Sequence, residues 1–131
     1  MAAEDEEPAP ALAAEQDAQD LRALLDTLPV ATGVKDREGR WLYINAAATA
    51  GYGRSPTHMI GKLDRDVLPP GNDADAVLAA DREVIDSGRS LTIPGHRFKT
   101  HEGREMVLHL VREPVRFQGA PAVLLTAHDV T

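Results

Sequence analysis

Apolar positions along the chain change their spacing several times, and each change marks an element. Ala11, Ala14, Ala18, Leu21, Leu25 and Leu28 recur every three or four residues, which predicts an amphipathic helix across residues 11–29. Leu24 widens the leucine-rich end of this seam, and Pro29 stops it. Thr32 to Lys35 and Arg40 to Ile44 then read as strands, joined by an Asp36-Arg37-Glu38-Gly39 turn. Simple alternation in the second strand puts Leu42 and Ile44 on one face and Trp41 and Tyr43 on the other. Asn45 is placed to cap a short alanine helix closed by Gly51 and Gly53. Ser55-Pro56 opens a second short turn of helix, and Asp64 to Leu68 forms a third. Val77, Leu78, Ala80, Val84 and Ile85 lie on an apolar stripe that predicts a longer helix over Asp73 to Ser87, with Gly88 as its stop. Leu91 to Lys99, Glu105 to Val115 and Ala122 to Val130 read as an antiparallel meander turning at His101-Glu102-Gly103 and Gln118-Gly119.

Two tightly joined strands, a group of helices and three tightly joined strands predict an α+β domain. Its expected core is one five-stranded antiparallel sheet with short helices and one longer helix massed on one face, preceded by the N-terminal helix. The space between sheet and helices is the natural place for a pocket. Ile44, Val77, Leu78, Leu108 and Leu110 are the expected lining residues.

Charge refines the division of the chain. Residues 1–20 hold seven acids and no lysine or arginine, whereas the other 14 acids are matched by 14 bases. Residues 1–10 therefore read as a disordered acidic leader, residues 11–29 as the N-terminal helix, and residues 30–131 as a formally neutral domain. A neutral domain has no net field to draw in nucleic acid, so no nucleic-acid partner is expected. There is no cysteine, which excludes disulfides, thiolate metal sites and cysteine-linked chromophores. No apolar run reaches the roughly 20 residues of a membrane span, and no secretion signal is evident. Cytoplasmic localisation with no membrane partner is the expectation.

Several segments resemble the PAS domain family. Val34-Lys35-Asp36-Arg37-Glu38-Gly39-Arg40-Trp41-Leu42-Tyr43-Ile44-Asn45 resembles its opening hairpin. Tyr52-Gly53-Arg54-Ser55-Pro56 and Met59-Ile60-Gly61-Lys62 resemble its short-helix segment. Asp81 to Gly88 resembles the end of its long helix, and Asp129-Val130-Thr131 its terminal Asp-x-Thr. The resemblance covers residues 21–131 and implies a non-catalytic sensory or signal-relay module of a bacterial-type signalling protein, in two-component or transcriptional control. Such a module binds a small metabolite or mediates dimerisation. The family implies a C-terminal effector, such as a kinase, cyclase or phosphatase, beyond Thr131. Two rival readings are a pure protein–protein dimerisation module with no ligand and a small α+β enzyme such as an isomerase.

The resemblance assigns no cofactor. Residues 71–88 contain no histidine, which argues against haem of the oxygen-sensing branch, and non-covalent flavin stays open. Asp129 and Thr131 are expected to relay the signal, with Arg40 and Arg104 as possible ion-pair partners of Asp129. Leu21, Leu24, Leu25, Leu28, Trp41 and Tyr43 are expected to serve a homodimer. Asp81 interrupts the long helix's stripe and is expected at its edge, beside Arg82. Arg97 and Lys99 read as an exposed strand face. His58, His96, His101, His109 and His128 match no metal-ligand spacing and read as surface residues, with His109 facing the N-terminal helix or a partner. No catalytic constellation and no metal site emerges.

Overall fold

A computed structural model describes residues 10–131, and the side chains of residues 10–15 and 18 lie outside the description. Residues 1–9 of the expected acidic leader therefore fall outside the described part, as do the side chains of Ala11, Ala14 and Ala18, while Pro10, the last residue of that leader, opens a helix.

The elements follow the predicted order: α1 (Pro10–Asp26), β1 (Ala31–Asp36), β2 (Trp41–Ile44), α2 (Ala46–Tyr52), α3 (Pro56–Met59), α4 (Asp64–Val67), α5 (Ala74–Ser87), β3 (Leu91–Lys99), β4 (Glu105–Phe117) and β5 (Ala120–Asp129). The caps explain the boundaries. Asn45 Oδ1 accepts from Ala48 N to open α2, and Gly53 closes it at φ 72°, where a side chain would be strained. Asp73 opens α5 in the same way, and Gly88 closes it at φ 69°. α1 ends in a turn three residues before Pro29, where Thr27 N and Leu28 N reach back to Leu24 O and Leu25 O.

The strands form one antiparallel sheet in the order β2-β1-β5-β4-β3. The first hairpin thus sits beside the last strand, and the first and last strands pair mid-sheet. α2 to α5 lie on the inner face. Val84 of α5 packs against Leu110, Val123 and Leu125. Trp41, Ile44, Ala48, Met59 and Val67 form a second cluster at the β2 end. On the outer face Val34, Tyr43 and Ala122 gather with Leu25 of α1 and with Val115, Phe117 and Leu124.

A bulge corrects the alternation expected of β2. Tyr43 pairs with Val34, but Trp41 pairs with Lys35, so one extra residue sits on β2. The extra residue shifts the phase of the strand. Trp41 joins Ile44 on the inner face, while Tyr43 turns to the outer face beneath α1. Trp41 is 3% exposed and lies in the core, away from any surface a partner could reach. Its ring covers Gly33, where an added Cβ would fall 2.3 Å from a ring carbon.

Asn45 does more than cap. It is fully buried, its Oδ1 also accepts from Thr32 N, and its Nδ2 donates to Leu25 O and Val30 O. One amide therefore ties the end of α1, the start of β1 and the start of α2.

Candidate functional site: a cavity beside a buried charge cluster

Between the inner face of the sheet and the helices lies a cavity of about 260 Å³. Its floor comes from alternate positions on the strands: Ala31, Gly33 and Lys35 of β1, Met106, Leu108, Leu110 and Arg112 of β4, and Leu125, Ala127 and Asp129 of β5. Pro29, Thr32, Trp41 of β2, Ala47, Ala48, Gly51 and Tyr52 of α2, Leu68, Val77 of α5, and His96 and Phe98 of β3 complete the wall. Small residues on α2 hold that helix's backbone near the space, so the cavity exists because alanine and glycine stand where larger side chains would fill it. An adjoining chamber of about 350 Å³ lies between α5 and β3 and shares Leu68, Val77, His96, Phe98 and Arg112 with the first.

At one end of the cavity four charges from four elements meet out of water. Lys35 Nζ of β1 lies 2.5 Å from Asp64 Oδ2 of α4 and 2.6 Å from Asp81 Oδ2 of α5. Arg112 Nε of β4 donates to Asp81 Oδ1 at 2.8 Å, and Trp41 Nε1 donates to Asp64 Oδ1 at 2.9 Å. Lys35 Nζ also sits 5.0 Å from the centre of the Trp41 ring. All four charged residues are 5% exposed or less. Removing such groups from water costs several kcal/mol per ion, and mutual pairing with good geometry offsets that cost. Among the described residues the hydrogen bonding is incomplete at two buried atoms: Asp81 Oδ2, which Lys35 meets as an ion pair alone, and Arg112 Nη1.

The aromatic wall is continuous with this cluster. Tyr52 stacks edge-on against Trp41 and tilts against Phe98, each at 5.6 Å between ring centres. Burial, reinforced by the carboxylates of Asp64 and Asp81, holds the Tyr52 phenol protonated far above its ordinary range. Burial and the nearby Arg112 charge push His96 below the ordinary imidazole range, so the cavity wall carries a neutral imidazole at pH 7.

Of the expected lining residues, Val77, Leu108 and Leu110 line the cavity. Ile44 is packed in the Trp41 cluster instead, and Leu78 turns toward the β1–β2 turn, its Cδ1 beside Gly39. Asp81, expected at a helix edge beside Arg82, is fully buried and pairs with Lys35 and Arg112. His96, expected on the surface, is half-buried in the cavity wall. Arg97 and Lys99 are exposed, as expected. His109 pairs across the sheet with His128, their rings 6.4 Å apart.

Asp129 and Thr131 form a local closure. Asp129 Oδ1 accepts from Thr131 N at 2.9 Å and Oγ1 at 2.5 Å, and Val107 N donates to Thr131 Oγ1 at 3.0 Å. These bonds hold the Asp129 carboxyl below its usual range, with Arg104 adding a smaller, through-space contribution. No ion pair joins Asp129 to Arg104 or Arg40 among the described residues. Leu21, Leu24 and Leu28 of the dimer set are 56%, 64% and 42% exposed, whereas Leu25 is half-buried and Tyr43 is buried, its hydroxyl donating to Arg22 O.

Among the described residues no group of three histidine or acidic side chains is arranged to hold a metal ion. No described helix is long and apolar enough to cross a membrane.

Comparison with known proteins gives this geometry its family. The Vibrio cholerae VqmA dimer in the absence of target DNA, described among LuxR-type receptors, superposes with a TM-score of 0.74 at 24% identity, over 86% of this chain and 51% of that one. The PAS domain of nitrogen regulation protein NR(II) from Vibrio parahaemolyticus gives 0.68 at 22% identity, over 83% and 96%. A PAS domain from a two-component sensor histidine kinase gives 0.69 at 17% identity, over 88% and 98%. In sequence, an uncharacterised protein, y4lL, of Sinorhizobium fredii is 34% identical over 74 residues, which are 56% of this chain and 9% of that protein. The chain thus spans less than a tenth of that relative and about half of VqmA. PAS domains are generally non-catalytic sensory modules, found in sensor kinases and in receptors such as VqmA. The family model described as PAS fold matches residues 25–131, and the chain belongs to the PAS family.

Proposed function

We propose that this PAS domain senses a small molecule held in the 260 Å³ cavity and relays its presence to an effector carried in the same longer protein. The observation that carries this reading is the cavity itself, open beside a buried charge cluster in a domain otherwise packed on both faces of its sheet. Pockets that bury small ligands are mostly apolar with a few placed polar groups, and this one has that make-up. One structural neighbour, VqmA, is described as bound to DPO. Asp129 and Thr131 fix the direction in which the chain leaves β5, so a strain on β4 or β5 from the cavity reaches the exit of the domain through them.

A second reading, compatible with the first, has a specific observation behind it. Leu21, Leu24 and Leu28 present an exposed apolar row on α1 that a second copy of the chain would cover.

Native mass spectrometry of the protein purified from cells tests the first reading. The expected result is a small adduct that disappears in a Leu108→Trp variant, whose larger side chain occupies the cavity. A wild-type protein that carries no adduct and gains none from a cell extract would overturn it. For the relay, Asp129→Ala in the full-length protein is expected to uncouple output while ligand binding survives, and unchanged output would count against it.

A further inference from the structure

The ligand's chemistry follows from what the charge cluster lacks. Both oxygens of Asp64 are engaged, by Trp41 and Lys35; Asp81 Oδ1 accepts from Arg112, and Asp81 Oδ2, which has no hydrogen bond, is matched in charge by Lys35 Nζ at 2.6 Å. Two carboxylates and two cations leave the cluster with no net charge. What is left over is donor capacity. A guanidinium offers five N–H groups, and among the described residues Arg112 commits only its Nε–H, to Asp81. Its Nη1 is buried with no partner. Buried, unpaired donors on a charged group are among the costliest atoms to leave unsatisfied. Arg112 forms part of the wall of both chambers, so a molecule in the cavity lies against it.

We propose that the ligand is an uncharged molecule of about one ring, bearing a carbonyl or ring-nitrogen acceptor that docks on the guanidinium of Arg112. This rests on the ligand-holding reading above and names the class of ligand. An anion would bring an unbalanced charge into a cluster whose cations are already matched, and it would do so without water to dilute the cost. The neutral His96 imidazole beside Arg112 adds polarity to the wall without adding charge. Size points the same way. A dry cavity of about 150 Å³ accommodates benzene, so 260 Å³ suits a substituted single ring.

The test is a set of NMR titrations of the full chain with three pairs of probes. Benzamide and acetophenone are neutral acceptors, benzoate and phenylacetate are anions, and toluene and ethylbenzene are apolar. The expected result is that the neutral acceptors bind roughly tenfold or more tighter than the other two pairs, the size of effect a hydrogen bond to a charged group supports. They are also expected to move the Arg112 Nε–H resonance. In Arg112→Met the preference for benzamide over toluene is expected to vanish while toluene still binds, and should that variant not fold, the wild-type ranking decides alone. Toluene binding as tightly as benzamide, or benzoate binding tightest, overturns this inference and leaves a ligand-holding cavity standing. If none of the six binds, the cavity reading falls with it.

Discussion

The sheet has two edge strands, and the fold treats them differently. β2 is four residues long, three of them buried, and its free edge is closed by the α3–α4 segment. Trp41 N donates to Lys62 O, Gly61 N donates to Trp41 O, and bridges join Arg40 to Leu63 and Trp41 to Ile60. β3 is nine residues long with only Phe98 buried, and its pairing with β4 breaks between Ile93 and His96, around Pro94 and Gly95. Proline at an edge removes a donor and discourages further strand pairing. Asn72 fastens only its far end, donating to Lys99 O and accepting from Lys99 N. At β2 the helices are pinned to the sheet by the Trp41 core, with Trp41 Nε1 donating to Asp64 of α4. At β3 the contact is partial: Leu91 and Ile93 pack against the Val84 cluster of α5, and the second chamber lies beside them, lined by Ile93, His96 and Phe98. The lesson is a division of labour: the closed edge supplies rigidity, the open edge supplies space, and the fixed polar groups come from β1 and β4 between them.

The comparison breaks most visibly if the charge cluster is cut. Asp81→Ala leaves Arg112 without its carboxylate and Lys35 with one partner in place of two, and is expected to destabilise the fold by about 3–5 kcal/mol in urea unfolding. Asp86→Ala, on the same helix but in the exposed pair with Arg37, is expected to change stability little. The next largest effect is expected at Asn45→Ala, which strips four hydrogen bonds from the junction of α1, β1 and α2 and is expected to cost about 2 kcal/mol.

Overpacking separates the two halves directly. Val67→Phe enlarges a side chain inside the Trp41 cluster and is expected to cost about 1–3 kcal/mol. Leu108→Phe enlarges one that faces the cavity and is expected to cost less than Val67→Phe, because its extra atoms meet space. Equal losses would place the two regions at the same packing density.

The smallest effect concerns pH. His96 takes up a proton less readily in the folded chain than in the unfolded one. Below about pH 6.5 the unfolded state therefore holds more protons, and stability falls as pH drops until His96 itself titrates in the fold. His96→Gln is expected to flatten that fall, and an NMR titration of wild type to place His96 below 6.5.

How much of this was legible in the chain depends on whether the signal is local. Caps at Asn45, Asp73, Gly53 and Gly88, and the turns between strands, set the elements and hence the α+β architecture. The β2 bulge was not legible, because alternation assumes one residue per pairing position and the extra residue shows only in the partner strand. Nor was the charge cluster, whose members lie 29 and 31 positions apart along the pairs Lys35–Asp64 and Asp81–Arg112. Each residue carried only a faint mark. Asp81 interrupts an apolar stripe, and Arg112 shares the inward-facing register of Leu108 and Leu110. A single charge on a buried face signals a partner of opposite sign without saying where that partner lies. His96 was misplaced for a related reason: β3 is mostly exposed, and only the chamber behind it gives one of its side chains an interior.

Hydrogen exchange of the full chain, resolved to single amides, tests the contrast between the edges most directly. Both β2 and β3 are edge strands of one sheet, so edge position alone makes them alike. The expected result is that paired amides of Trp41–Ile44 exchange at least about tenfold more slowly than those of Leu91–Phe98, and that benzamide slows β3 and α5 while leaving β2 unchanged. Equal exchange at the two edges, with no response of β3 to any neutral probe that binds, would contradict a closed edge that anchors and an open edge that admits the ligand.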